Sequence, residues 1–93
     1  MIVGTLELEL YIREARSLKD KRRVVKSLKD RLLHRFPVSV AEVDSLDNCQ
    51  YGTLGVAIVC NDSRHATEVL SKIVDFVRGS LTAELVDYTM EIY

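Results

Sequence analysis

What this sequence lacks narrows its class. No run of apolar residues approaches the ~20 that a membrane-spanning helix needs. The opening MIVGTLELEL has no basic n-region and no small-residue cleavage signature, so no secretory signal peptide is expected there. There are only two cysteines, Cys49 and Cys60, and no export signal, so reduced thiols and a cytoplasmic location are expected. Cys60, His34 and His65 match no zinc spacing and have no evident fourth ligand, so no metal or cofactor is expected. No phosphate-cradling glycine loop is present, because Gly52 and Gly55 fall inside an apolar strand. No repeat, low-complexity stretch or linker divides the 93 residues, which read as one domain, 1–93. The net charge of −1 argues against a protein that simply coats nucleic acid.

What is present is organised around Ser17–Phe36, SLKDKRRVVKSLKDRLLHRF. Leu18, Val25, Leu28, Leu32 and Phe36 recur at helical spacing, with Val24 and Leu33 at the edges of the stripe, which predicts an amphipathic helix packed on a sheet. Ser17, followed three residues later by Asp20, is a capping-box-like start. Pro37 has no N–H and disfavours helical geometry at Phe36, so it is the stop. Lys19, Arg22, Arg23, Lys26 and Lys29 fall along one exposed flank, and Arg31 and Arg35 along the other. Lys21 projects near the apolar stripe, where it must snorkel to the edge or meet a partner such as Asp44 or Asp47. Eight bases against two acids give this segment +6; a chain total of −1 then leaves −7 for everything else. The bland account is a solvated helix face. Asymmetry of this size also suits an anionic partner.

Ile2–Ile12 alternates, with Gly4, Leu6, Leu8, Leu10 and Ile12 on one side and Thr5, Glu7, Glu9 and Tyr11 on the other, a half-buried strand. Val38–Val43 is a short β-branched strand whose inward face is left open. Asp44–Gln50 is a polar loop, and Tyr51–Cys60 is an apolar third strand. Asn61–Ser63 opens a second helix marked by Ala66, Val69, Leu70, Ile73, Val74 and Val77, with Gly79 as its stop. Thr82–Tyr93 alternates again, Val86, Tyr88, Met90 and Ile92 against Leu85, Asp87, Thr89, Glu91 and Tyr93. Strand, helix, strand, strand, helix, strand is the split βαβ order. The fold expected is α+β, a ferredoxin-like βαββαβ sandwich: a four-stranded antiparallel sheet with both helices on one face and the first and third strands central.

That topology sorts residues to two ends. Arg13–Arg22, the 44–50 loop and Gly79-Ser80 share one; His34, Pro37, Asn61, Asp62, His65 and both termini share the other. Cys49 is therefore far from either histidine, and no Cys–His pair forms. Glu7, Glu9, Asp87 and Glu91 are expected on the open sheet face, read as flat, without a cleft, and hence as a solvated acidic surface. A module that stacks bases on central-strand aromatics is disfavoured, since those strands offer Glu7, Glu9, Ala57 and Val59, with Tyr11 only at an end. No catalytic motif appears, and no enzymatic activity is expected.

Ser17-Leu18-Lys19-Asp20-Lys21-Arg22 resembles the S-L-K-[ED]-K-R signature of the YlxP-like family of small bacterial proteins. Met1–Gly4 is similar too, as are Phe36–Asp44 (FPVSVAEVD), Asp47, Gln50 and the glycine-containing third strand, so the resemblance spans essentially the whole chain. It implies a ferredoxin-like fold, no established reaction, and a gene neighbourhood shared with a transcription termination factor, translation initiation factor two and ribosome-binding factor A. Family members commonly carry tryptophan where this chain has Cys49, and often asparagine where it has Pro37. If that tryptophan serves to stack on a base, its absence here weakens an RNA role for the 44–50 loop.

Two classes of function follow. The first is a binding module docking on structured RNA or a ribosomal particle through phosphate contacts. The second is a protein-interaction module that meets acidic protein surfaces or its own copies. The contacts expected are Lys19, Lys21, Arg22, Arg23, Lys26 and Lys29, with Asn48 and Gln50 as donors beside the helix start, where free N–H groups add an anion site.

Overall fold

A computed structural model describes residues 1–93. Its elements are β1 (Ile2–Tyr11), α1 (Leu18–Arg35), β2 (Ser39–Asp44), β3 (Tyr51–Cys60), α2 (Ser63–Arg78) and β4 (Glu84–Ile92). The strands form one antiparallel sheet in the order β2-β3-β1-β4, with α1 over β2 and β3 and α2 over β1 and β4. This is the ferredoxin-like α+β fold that the element order implied. No helix is long and apolar enough to cross a membrane.

The period-2 pattern decides which sheet face is covered. Leu6, Leu8 and Leu10 of β1 and Leu54, Val56 and Ile58 of β3 are buried on the helix side, against Val25, Leu28 and Leu32 of α1 and Leu70, Ile73 and Val77 of α2. Gly4 permits close packing there: a Cβ would come 3.0 Å from Leu70 Cδ1 and 3.1 Å from Ile58 Cγ2. Both helices start as their sequences suggest. The Ser17 hydroxyl accepts from Asp20 N–H at 3.1 Å, the Asp20 carboxylate accepts from Arg16 N–H at 3.0 Å, and Asp62 caps α2 through Arg64 N–H. α1 ends at Arg35, one residue short of expectation. Phe36 is already extended ahead of Pro37 and acts as the cap, its N–H reaching Leu32 O.

Both edge strands carry a bulge, a device common at sheet edges. On β4, Glu9 pairs with Asp87 but Leu10 pairs with Leu85, so Val86 is an extra residue. The simple alternation read along Thr82–Tyr93 therefore breaks: Leu85 packs against the core, and Val86 is exposed. On β2, Glu42 pairs with Leu54 and Asp44 with Thr53, so Val43 is the extra residue and lies across Gly55 on the open face.

Candidate functional site

The first turn of α1 places Lys21 on the apolar stripe between Leu18 and Val25, and its side chain has no solvent exposure. A buried ammonium needs a counter-charge and acceptors. It has both. Glu42 Oε2 lies 2.9 Å from Lys21 Nζ, and the N–H groups are directed at backbone carbonyls: Ser45 O at 2.8 Å, Tyr51 O at 3.1 Å and, more weakly, Leu46 O at 3.4 Å. The Lys21–Glu42 contact is a charge pair without aligned hydrogen-bond geometry. Gly52 lies beside the pair: a Cβ there would sit in ordinary contact, 3.4 Å from Glu42 Oε2 and 3.8 Å from the Lys21 stem.

The partner of Lys21 is thus Glu42, not Asp44 or Asp47. Val40 is buried against the helices, and Glu42, two residues on, shares its face. Asp44 instead accepts from Ser45 N–H at 2.7 Å. The bulge at Val43 shifts register just before this turn, and Ser45 takes a left-handed backbone (φ 59°), unusual for a residue with a side chain. Lys21 holds the Ser45 carbonyl in that conformation, and Asn48 N–H donates to the same oxygen at 3.1 Å.

Asn48 and Gln50 are engaged within the loop. Asn48 Oδ1 accepts from Gln50 N–H at 2.9 Å and Tyr51 N–H at 3.0 Å, an asparagine-locked turn. Gln50 Nε2 donates to Arg13 O at 3.3 Å, and Gln50 O accepts from Ile12 N–H at 2.7 Å. The loop, the β1–α1 connection and the start of α1 form one fastened end, with Lys21 as its internal bolt. Tyr11 and Tyr51 pair on the open face at that end, ring centroids 5.0 Å apart, with the Arg13 guanidinium over Tyr11.

Outside this bolt, Lys19, Arg22, Arg23 and Lys26 are exposed and Lys29 is half-buried. Lys26 pairs with Asp30 one turn on, at 2.7 Å; Lys19, Arg22, Arg23 and Lys29 have no carboxylate within 4.0 Å. The structure therefore divides the six expected basic contacts, one inside the fold and five along one flank.

The model of a family described as "Protein of unknown function (DUF503)" matches residues 3–90. The chain belongs to the DUF503 family. It is also similar to the uncharacterized protein YlxP of Bacillus subtilis (strain 168), 32% identical over 76 residues, which cover 82% of this chain and 83% of that protein. Membership in DUF503 agrees with the resemblance read from the SLKDKR stretch and assigns no reaction.

The open face differs from its expectation. A shallow, open groove of about 500 Å³ runs over it. Ala41, Gly55 and Ala57 form its floor, the bulged Val43 and Tyr93 stand at its sides, and Glu7 and Glu91 line it. The sequence does not reveal the groove, because Val43 reads as part of a regular strand and its bulge arises only in the pairing with β3. The Tyr93 hydroxyl donates to Glu91, and that bond and the carboxylate charge raise its pKa above 10.

Proposed function

We propose that this DUF503 protein is a binding module that docks on the phosphate backbone of structured RNA through one flank of α1. The contacts are Lys19, Arg22, Arg23 and Lys26, with Lys29 at the margin. One observation carries the reading: eight of the chain's 13 lysines and arginines lie in α1, and only Lys21 and Lys26 of the eight meet a carboxylate. A chain with 14 acidic residues has enough carboxylates to neutralise that flank and does not. Unneutralised cations on a rigid helix suit a polyanion, whose condensed counterions they displace. The flank offers charge without an aromatic or amide comb for base edges, so the contact positions rather than reads. Lys21, Asn48 and Gln50 support this end and do not touch the RNA. The gene neighbourhood that the family resemblance implies, beside translation factors, supports the same class of partner.

The test is a titration of a labelled RNA hairpin across a salt series, with sedimentation of the tagged protein in a ribosome profile with and without nuclease. Four phosphate contacts give a log–log salt slope of roughly −3 to −4. Replacing Lys19, Arg22, Arg23 and Lys26 by Gln should weaken binding at least tenfold and flatten that slope. Unchanged affinity in the fourfold variant, or a nuclease-resistant, salt-tolerant association, would instead assign the flank to an acidic protein surface or a second copy.

A further inference from the structure

The groove on the open sheet face lies on the side opposite α1 and takes no part in the proposed RNA contact. Its floor is apolar and shallow: Ala41, Gly55 and Ala57 carry almost no side chain, and Val43, half exposed, leans over Gly55. A Cβ on Gly55 would come 2.8 Å from Val43 Cγ1, so the glycine is what lets that valine fold over as a wall. Beside this apolar floor the charge is of one sign. Glu7 and Glu91 line the groove, Glu9 and Asp87 continue the row along β1 and β4, and none has a lysine or arginine within 4.0 Å.

The row is also internally unfavourable. Glu9 and Asp87 are register partners on neighbouring strands, and like charges placed directly opposite destabilise a sheet. A bound cation would relieve that repulsion. Exposed valines beside it, Val43 and Val59, continue the apolar strip along the β2–β3 side. An apolar strip with an acidic flank is complementary to a segment that is apolar on one side and cationic on the other.

A second copy of this chain is a poor occupant. Face-to-face pairing would bring further carboxylates toward the acidic row. Seating another copy's α1 flank on it would be a head-to-tail contact, which extends into a filament unless its rotation closes a ring. We propose that the open-face groove binds a lysine- or arginine-rich segment of another protein, small apolar side chains seated on Gly55 and Ala57 and cationic groups against Glu7, Glu9, Asp87 and Glu91. The molecule is then two-faced, with a polyanion on α1 and a polycation on the sheet.

The probe is a fluorescein-labelled ten-residue peptide alternating lysine with valine and alanine. Two controls accompany it: every valine and alanine replaced by glycine, and every lysine replaced by glutamate. Anisotropy should show the first binding at least tenfold more tightly than the glycine control, and the glutamate control not binding. Amide shifts should centre on Ala41, Gly55 and Ala57. The double variant Glu7→Gln, Glu91→Gln should weaken the peptide at least fivefold. Ala57→Arg, which fills the floor with a cation, should abolish binding while circular dichroism stays native; if that variant unfolds, the carboxamide pair decides alone. The fourfold Gln variant of α1 should bind the peptide as the parent does, so loss of RNA binding and loss of peptide binding are read separately. Equal binding of the lysine–glycine peptide would mean diffuse attraction and overturn the groove. So would insensitivity to the carboxamide pair, or a concentration-dependent dimer in sedimentation that Ala57→Arg dissolves.

Discussion

Lys21 and Lys26 are five residues apart on one helix and have opposite fates. Lys21 is fully buried, its ammonium enclosed by Glu42 and the carbonyls of Ser45, Tyr51 and Leu46. Lys26 is 76% exposed and meets only Asp30 of its own helix. Residue type is the same; the angle around the helix differs. Position 21 falls in register with Leu18, Val25, Leu28 and Leu32, and position 26 does not. A cation on the buried stripe becomes part of the structure, and its energetics are dominated by desolvation. A cation on the outer flank stays hydrated and adds little to stability, which leaves it free for a partner.

The largest expected effect is at the buried lysine. Lys21→Ala removes the only counter-charge within 4.0 Å of Glu42, leaves that largely buried carboxylate unpaired, and takes a donor from the Ser45 and Tyr51 carbonyls. Breaking one side of a buried ion pair costs about 3–5 kcal/mol. Urea denaturation should therefore show a large fall in midpoint, and the 44–50 loop amides should lose exchange protection first. The double variant Lys21→Met, Glu42→Leu should recover most of that loss, since replacing both charges by apolar groups of similar volume is often neutral. A double variant as unstable as Lys21→Ala would show that the carbonyl contacts, not the ion pair, hold this end.

How much of that comparison the sequence made legible depends on which residue is considered. The elements, their order and the covered sheet face follow from alternation in β1 and β3 and from the stripes of α1 and α2. The nearness of Lys21 to the stripe follows from helical spacing as well. Its partner did not emerge, because the inward face of a six-residue edge strand cannot be assigned from β-branched residues alone. Only tertiary packing of Val40 turns Glu42 inward. The bulges at Val43 and Val86 were likewise invisible. A bulge is a property of the pairing between two strands, and one strand's own alternation does not encode it. The open-face groove depends on Val43 and was lost with it.

A smaller effect is expected at Gly52, which sharpens the comparison by leaving both charges in place. Its added methyl would come 3.4 Å from Glu42 Oε2 and 3.8 Å from the Lys21 stem, ordinary contact distances. Gly52→Ala should therefore shift stability by less than about 1 kcal/mol, the methyl fitting and the backbone entropy lost by a strand glycine being reduced. The same substitution at Gly4, where a Cβ would come 3.0 Å from Leu70 Cδ1 and 3.1 Å from Ile58 Cγ2, should cost about 1–3 kcal/mol, the usual range for overpacking a filled core. Equal midpoints for the two variants would mean that the space around Lys21 is as tight as the core at Gly4.

The smallest stability effects belong to the exposed flank, where the two lysines can be set against each other directly. The Lys26–Asp30 pair runs lysine first, the less favourable order for neighbours one turn apart, and such exposed pairs contribute about 0.2–0.5 kcal/mol. Alanine is a better helix former than lysine by a few tenths of a kcal/mol, roughly offsetting the lost pair. Lys26→Ala should thus shift the thermal midpoint by under about 3 °C in a chain of this size. Replacing Arg22, Lys26 and Lys29 together by Gln should leave unfolding cooperative, because none of the three contacts a buried group in the way Lys21 does. Affinity for an RNA hairpin should move in the opposite sense, falling several-fold in Lys26→Ala although stability hardly changes. A triple variant that unfolds non-cooperatively would place structural work on the outer flank and erase the distinction between the two lysines.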